Sequence, residues 1–272
     1  MSNVVIGGAS GIGRAVAAQL VSRGHLLLAD RSLESLDPVA AEIGGNVETV
    51  ACDISDPDQI EALFARVDNL EALIVTAGLS GAQGTAHTVL DVNLRGTARV
   101  MNAAEMKLRA GSVGVFLASA SGYRTPEDPA LMEVLEDPLA DDFFDRLAAI
   151  APATATSHIA YSASKRGVMR LIRQRAFTWG KQGARILSVS PSLVATPMSL
   201  NEESRSPIMK KIAASSPIGR RGRPEEVANV ISFLTSPLAS YMTGCDILVD
   251  GGIVLLDPVR IAADERVASG GS

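Results

Sequence analysis

Val4-Val5-Ile6-Gly7-Gly8-Ala9-Ser10-Gly11-Ile12-Gly13-Arg14 opens the chain with a short apolar run, a glycine turn and the start of a helical pattern. The order predicts a strand that turns sharply into a helix over Arg14 to Ser22. Glycines at 7, 11 and 13 let backbone amides approach a ligand closely, and a helix N-terminus adds partial positive charge at the same point. Such a turn suits a phosphate. Gly8 and Gly13 also have the spacing of a triphosphate-cleaving loop, but Arg14-Ala15 stands where Lys followed by Ser or Thr is needed, which excludes that chemistry.

Further short β-like runs follow at Leu26-Leu27-Leu28, Glu48 to Cys52, Ala72 to Val75, Val113 to Leu117, Arg185 to Val189 and Ile247 to Val249, with helical stretches between them. Apolar runs without alternation are buried on both faces, and the intervening helices make right-handed crossovers. The expected fold class is α/β, a Rossmann-type doubly wound sheet of seven parallel strands. No repeat, linker or composition break divides residues 1–256, so a single domain is expected, followed by a tail at 257–272. Between Tyr123 and His158 lies a helical insert with eight acidic residues and two arginines. In it, Asp128-Pro129 and Asp137-Pro138 each predict a capped helix start, the second with Leu139, Phe143, Leu147 and Ala151 as its apolar stripe.

Composition narrows the function classes. The chain has 272 residues, 47% hydrophobic and 20% charged, which excludes a disordered or low-complexity protein. Its net charge of −5 has the wrong sign for nucleic acid as a partner. No apolar run approaches the roughly 20 residues of a membrane span, and no basic leader precedes Val4, so a cytoplasmic protein without a membrane partner is expected. Cys52 and Cys245 are far apart, and His25, His87 and His158 form no ligand spacing, so no metal site is expected.

Asp30 ends the second strand, where a carboxylate accepts hydrogen bonds from adenosine ribose hydroxyls and repels a 2′-phosphate. Arg31 beside it is the one neighbour suited to that phosphate, and no basic residue occupies the glycine turn. NAD is the expected cofactor; the plain alternative is a solvated Asp-Arg pair. Tyr161-Ser162-Ala163-Ser164-Lys165 puts a phenol and an ammonium on one helical face. The cation favours phenolate, which brings a phenol that ordinarily ionises near pH ~10 towards the range of a general acid/base. The plain alternative is a surface Tyr beside an exposed Lys.

Gly7-x-x-x-Gly11-x-Gly13 with Tyr161-x-x-x-Lys165 resembles the classical short-chain dehydrogenase/reductase family. Cys52-Asp53-Ile54 resembles the block whose Asp meets the adenine amine, and Thr76-Ala77-Gly78 the Asn-Ala-Gly after the fourth strand. Asp91-Val92-Asn93 resembles the block of the catalytic Asn, and Ser119, three residues before Gly122, matches the catalytic Ser. Pro191 to Met198 resembles the nicotinamide segment, with Val194 and Thr196 as carboxamide contacts. Arg223-Pro224-Glu225-Glu226-Val227, Ala239 to Gly244 and Val249-Asp250-Gly251-Gly252 resemble the C-terminal signature. The resemblance spans roughly residues 3 to 255, in order. It departs at Ile6 for Thr, Thr76 for Asn and Ser192 for Gly, each losing or altering a local hydrogen bond or turn preference. The long Ser119-to-Tyr161 spacing and the short segment between Gly78 and Asp91 are most similar to the bacterial 3α-hydroxysteroid dehydrogenase/carbonyl reductase subgroup.

The resemblance implies an oxidoreductase that moves a hydride between NAD(H) and a secondary alcohol or ketone, such as a hydroxysteroid or another hydrophobic cyclic compound. Tyr161 is then the proton carrier, Ser119 holds the substrate oxygen, Lys165 binds the nicotinamide ribose, and Asn93 orders water linking Lys165 to solvent. Gly7, Ser10, Gly11, Ile12 and Gly13 hold the dinucleotide with Asp30, Arg31, Asp53, Ile54, Thr76, Ala77 and Gly78. Tyr161, Lys165, Pro191, Val194, Thr196 and Met198 complete its site. Met198, Leu200, Ile208 and Met209 are apolar candidates for the substrate pocket. The competing reading is an NAD(H)-binding sensor on the same fold without turnover. The basic run Arg220-Arg221-Gly222-Arg223 is expected to be a solvated loop. The acidic insert is expected either to block the family's usual four-helix contact, leaving another surface for a homo-oligomer, or to act as a lid over the substrate.

Overall fold

The computed structural model describes residues 1–200, 212–214 and 216–255. Seven parallel strands form one sheet in the order β3-β2-β1-β4-β5-β6-β7. They are β1 Ser2–Ile6, β2 His25–Asp30, β3 Val47–Ala51, β4 Leu70–Val75, β5 Val113–Leu117, β6 Arg185–Pro191 and β7 Asp246–Val249. All seven fall on the apolar runs of the sequence. Neighbouring residues face opposite sides: Val5 and Leu28 join one apolar layer, Val4 and Leu27 the other.

Helices cover both layers. On one face lie α1 Gly11–Leu20, α2 Leu33–Ile43 and α9 Pro224–Leu234, with Val16, Leu20, Leu36, Ile231 and Leu234 buried. On the other lie α3 Pro57–Ala65, α5 Thr97–Glu105 and α8 Ser157–Lys181. The chain reverses direction across the sheet between β1 and β4, and at such a switch point the carboxyl ends of the strands leave a crevice. The helix expected from Arg14 starts earlier, at Gly11, and ends in a short 3₁₀ turn over Val21–Arg23.

The insert forms α6 Pro129–Glu136 and α7 Phe143–Ile150, and α4 Ala86–Leu90 meets it through His87, which stacks on Phe144. Asp128 caps α6 as expected, accepting from the Leu131 amide at 2.9 Å. The Asp137-Pro138 start is corrected: Asp137 ends α6, residues 138–142 form turns, and α7 begins at Phe143. The reason is long-range. The Arg95 guanidinium takes the carbonyls of Pro138, at 2.9 Å, and Ala140, at 3.5 Å, which a helix from Pro138 would need for itself. Leu139 therefore lies outside the helix, although it still packs against the core.

Leu131, Leu135, Phe143 and Leu147 are buried in the same apolar cluster as Val168, Met169 and Ile172 of α8. Ion pairs Arg166–Glu127 and Arg170–Glu136 close the seam. The residues expected beyond 255, including the tail, and Ile208 and Met209 lie outside the described residues. Leu135 is fully buried under the insert, so Leu135→Ala should lower unfolding free energy by about 2–5 kcal/mol in urea denaturation. A loss below about 0.5 kcal/mol, the scale of a surface change, would show that the insert does not form part of the core.

Candidate active site

The glycine turn is built on backbone. Gly7 and Gly8 amides donate to the Ala29 carbonyl, at 2.8 and 3.0 Å, so the turn leaves β1 bound to the end of β2. Gly7 has φ +91, and a Cβ there would lie 2.5 Å from the Ala77 nitrogen. A Cβ on Gly13 would lie 2.0 Å from the Gly7 carbonyl oxygen, so only glycine lets α1 start this close to β1. Ser10 stands at the N-cap without a side-chain cap bond, and the first turn carries no acidic residue. The first-turn amides of α1, at Gly11, Ile12 and Gly13, thus meet neither a capping side chain nor an acid, an arrangement fit for a phosphate.

Asp30 is bolted to this turn: its Oδ2 accepts from the Ala9 amide at 3.1 Å and its Oδ1 from the Arg31 amide at 2.8 Å. Arg31 is exposed. Asp53 shapes the next loop, accepting from the Ser55 amide and hydroxyl at 2.8 and 2.7 Å, while Ile54 is buried. The Thr76 substitution keeps a bond rather than losing one. Its hydroxyl donates to the Ile6 and Gly7 carbonyls, at 3.1 and 3.0 Å, and so ties β4 to the glycine turn.

Asn93 lies in a π-helical turn, Asp91–Gly96, between α4 and α5, and is buried. Its Oδ1 accepts from the Leu79 amide at 2.7 Å and its Nδ2 donates to the Leu79 carbonyl at 2.8 Å. A second, longer bond runs from Nδ2 to the Ser164 hydroxyl, at 3.4 Å. A Cβ on Gly78 would lie 3.0 Å from Asn93 Oδ1 and 3.4 Å from Lys165 Nζ, so Gly78, Asn93 and Lys165 meet.

Ser119 follows β5 and is buried, its Oγ accepting from the Ser121 amide at 3.1 Å. The turn from Ser119 to Gly122 rests on α8. A Cβ at Gly122 would stand 3.0 Å from the Arg166 nitrogen and 3.1 Å from the Lys165 carbonyl carbon. Tyr161 is half-buried on α8, and Lys165 Nζ lies 5.8 Å from the centre of its ring. Nζ also donates to the Leu117 carbonyl at 3.0 Å. Burial brings the Lys165 ammonium down to about 8 from the usual 10.5. The sheet, the Ser119 turn and α8 therefore bring the four expected catalytic residues to one end of β4 and β5.

Pro191, which ends β6, and Val194 beyond it are buried, and Val194 pairs with Gly222. Thr196 meets the glycine turn: a Cβ on Gly11 would lie 3.0 Å from its Cγ2. Met198 and Leu200 are largely exposed, at 41% and 50%. The basic run is only partly solvated. Arg220 pairs with Glu226 at 2.8 Å, whereas Arg221 reaches the Ser199 hydroxyl at 3.4 Å. Ser199 itself donates to the Val194 carbonyl, so it holds the expected nicotinamide segment. Ser199, Ser164 and the backbone of Leu79 and Leu117 were not singled out from sequence. Ser164 carried a signal, its place within the Tyr-Lys helical turn; the others carried none.

The doubly wound sheet thus carries a glycine turn at its switch point and, beside it, Asn93, the Ser119 turn, Tyr161 and Lys165. The short chain dehydrogenase family model matches residues 3–128, and a second model, described as enoyl-(acyl carrier protein) reductase, matches 147–254. Cis-4-hydroxycyclohexanecarboxylate dehydrogenase of Sinomonas cyclohexanicum is 31% identical over 92% of this chain and 94% of its own length. The 3-alpha-hydroxysteroid dehydrogenase/carbonyl reductase of Comamonas testosteroni is 30% identical, covering 93% and 96%. The crystal structure of 3-alpha-hydroxysteroid dehydrogenase from Pseudomonas sp. B-0831, complexed with NADH, matches with a TM-score of 0.74 at 26% identity, covering 93% and 96%. The chain belongs to the classical short-chain dehydrogenase/reductase family, and its fold is one that binds a nicotinamide cofactor. Among the described residues, no helix is long and apolar enough to cross a membrane.

Lys165 gives the site a pH signature. The folded protein holds this proton more weakly than the unfolded chain, so the penalty of a buried ammonium is full below about 8 and is relieved as pH rises towards 10.5. In urea denaturation without cofactor, the stability of the wild type relative to Lys165→Met should rise across that window. A flat or falling difference would contradict the buried placement of the amine.

Proposed function

We propose that this protein transfers a hydride between NAD(H) and a secondary alcohol or ketone, with hydrophobic cyclic compounds, hydroxysteroids among them, as the substrate class. The observation that carries the reading is the meeting of Gly78, Asn93 and a buried Lys165 beside the Tyr161 ring, with the Ser119 turn seated on the same helix. The nicotinamide, when bound, supplies or accepts the hydride. The residues fit it, since the glycine turn excludes side chains and leaves first-turn amides for the pyrophosphate. Asp30 would hold the ribose hydroxyls and Asp53 and Ile54 the adenine, with Thr76 to Gly78 beside the glycine turn. Pro191, Val194, Thr196 and Met198 would hold the nicotinamide.

The proton is the protein's part of the reaction. During reduction Tyr161 gives its phenolic proton to the carbonyl oxygen; during oxidation it takes one from the alcohol. Ser119 Oγ already accepts a bond from the Ser121 amide, which leaves its own proton to donate to the substrate oxygen. A positive Lys165 favours negative charge on the phenol oxygen, and Asn93 keeps the Leu79 loop against Lys165. The substrate class is supported by the names of the two curated relatives, which carry a hydroxycyclohexane carboxylate and a hydroxysteroid, and by the exposed Met198 and Leu200.

Self-association by another surface than α8 is part of the same reading. The insert packs on the first part of α8, in one cluster with Val168, Met169 and Ile172, and β7, the last strand of the sheet, is the alternative. Cross-linking in solution should give no contact between copies through α8; a symmetric α8 contact would contradict the reading.

Tyr161→Phe removes the proton carrier and keeps the ring. Assayed at the nicotinamide absorbance band on a panel of cyclic secondary alcohols, including cis-4-hydroxycyclohexanecarboxylate and 3α-hydroxysteroids, turnover should fall by roughly two orders of magnitude or more. NADH binding should be nearly intact. Retention of most of the activity would mean that the proton comes from elsewhere.

A further inference from the structure

The turn that carries Asn93 is irregular, and something outside it must hold its shape. A π-helical turn is less favourable than the α-helix on either side, and here it joins α4 to α5 directly. Part of the hold is internal: the Thr97 hydroxyl donates to the Asn93 carbonyl at 2.7 Å. Part comes from Asp91, whose Oδ1 accepts from Arg95 Nε at 3.1 Å and from Arg99 Nη2 at 3.2 Å. Arg95 does more than close this pair. Its Nη1 donates to the Pro138 carbonyl of the insert, and its guanidinium lies 5.3 Å from the centre of the Phe144 ring and 5.8 Å from that of Phe143. Phe144 stacks in turn on His87 of α4, with ring centres 4.0 Å apart and planes 16° from parallel.

The insert therefore touches the two stretches that Asn93 joins inside the site. One is the π turn, gripped through Arg95; the other is the segment from Leu79 into α4, gripped through His87. Resting on the reading of Asn93 as part of the catalytic site, we infer that Arg95 is a positioning residue: it fastens the insert to the Asn93 turn and so keeps the Asn93 carboxamide on Leu79. The insert is then a fixed part of the frame around the site. A lid has to leave the body, yet this insert buries Leu135, Phe143 and Leu147 almost completely and gives up two turn carbonyls to Arg95.

Hydrogen exchange of the full chain without cofactor reads the tie directly, because the Leu79 amide donates to Asn93 Oδ1. Arg95→Met should speed exchange in peptides spanning 77–84 about tenfold, with the β5 peptides unchanged. Arg95→Lys, which keeps the cation for Asp91 and the rings, should return exchange to within about threefold of wild type. With an alcohol that the wild type oxidises, Arg95→Met should lower kcat about tenfold and leave KM for that alcohol within about twofold. Exchange at 77–84 that stays at the wild-type rate, or rises equally in β5, overturns the inference. So does an Arg95→Lys protein that behaves like Arg95→Met. Should Arg95→Met fail to fold, Phe144→Leu removes the ring under the guanidinium, and the same local increase is expected, with its absence overturning the tie. A wild type that oxidises no alcohol contradicts the functional reading instead, and the exchange comparison still decides the role of Arg95.

Discussion

Gly13 has no room for a side chain: a Cβ there would lie 2.0 Å from the Gly7 carbonyl oxygen. That contact sets how tightly the first helix can follow the first strand, and the rest of the site is assembled against it. Thr76 and Ala77 bring the end of β4 onto the same turn, through the Thr76 hydroxyl and the Ala77 amide, which donates to the Ile6 carbonyl at 3.1 Å. Asp30 brings the end of β2 through the Ala9 amide. Thr196 arrives from beyond β6 to lie against Gly11. Strand ends that are separate in sequence thus share one crevice, as the switch point of a doubly wound sheet requires.

A second close approach places the chemistry. Gly122 lets the turn after β5 lie on the backbone of α8 at Lys165 and Arg166, which seats the Ser119 turn on that helix. Lys165 then reaches back under β5 to the Leu117 carbonyl, and its burial weakens its hold on its proton. The fold spends buried polar groups on this arrangement, and each is bonded: Asn93 to Leu79, Ser164 to the Tyr161 carbonyl, Lys165 to Leu117. A cluster satisfied by backbone in this way is held in place before any ligand arrives.

Much of this was legible in the sequence because it is written in local terms. Strands buried on both faces show as unbroken apolar runs, and the spacing of Gly7, Gly11 and Gly13 or of Tyr161 and Lys165 reflects a turn or a helix that the sequence itself builds. What failed was long-range. Asp137-Pro138 has the residue types of a helix start, but Arg95, far away in the chain, takes the carbonyls there. Thr76 read as a lost or altered bond because its partner, the glycine turn, is near only in space. Leu79 and Leu117 act through their backbone, and no residue type announces that role. The insert was readable as helical and acidic, while its grip on the Asn93 turn appears only once Phe144, Arg95 and His87 are seen together.

The glycine turn and the Asp30 bound to it are proposed as the seat of NAD(H). Calorimetric titration of NADH and NADPH into the same protein tests it most directly. One NADH per chain should bind, tighter than NADPH by about tenfold, since the Asp30 carboxylate repels a 2′-phosphate and loses the ribose hydroxyl bond. Absence of NADH binding, or NADPH binding of equal or greater strength, would contradict the account.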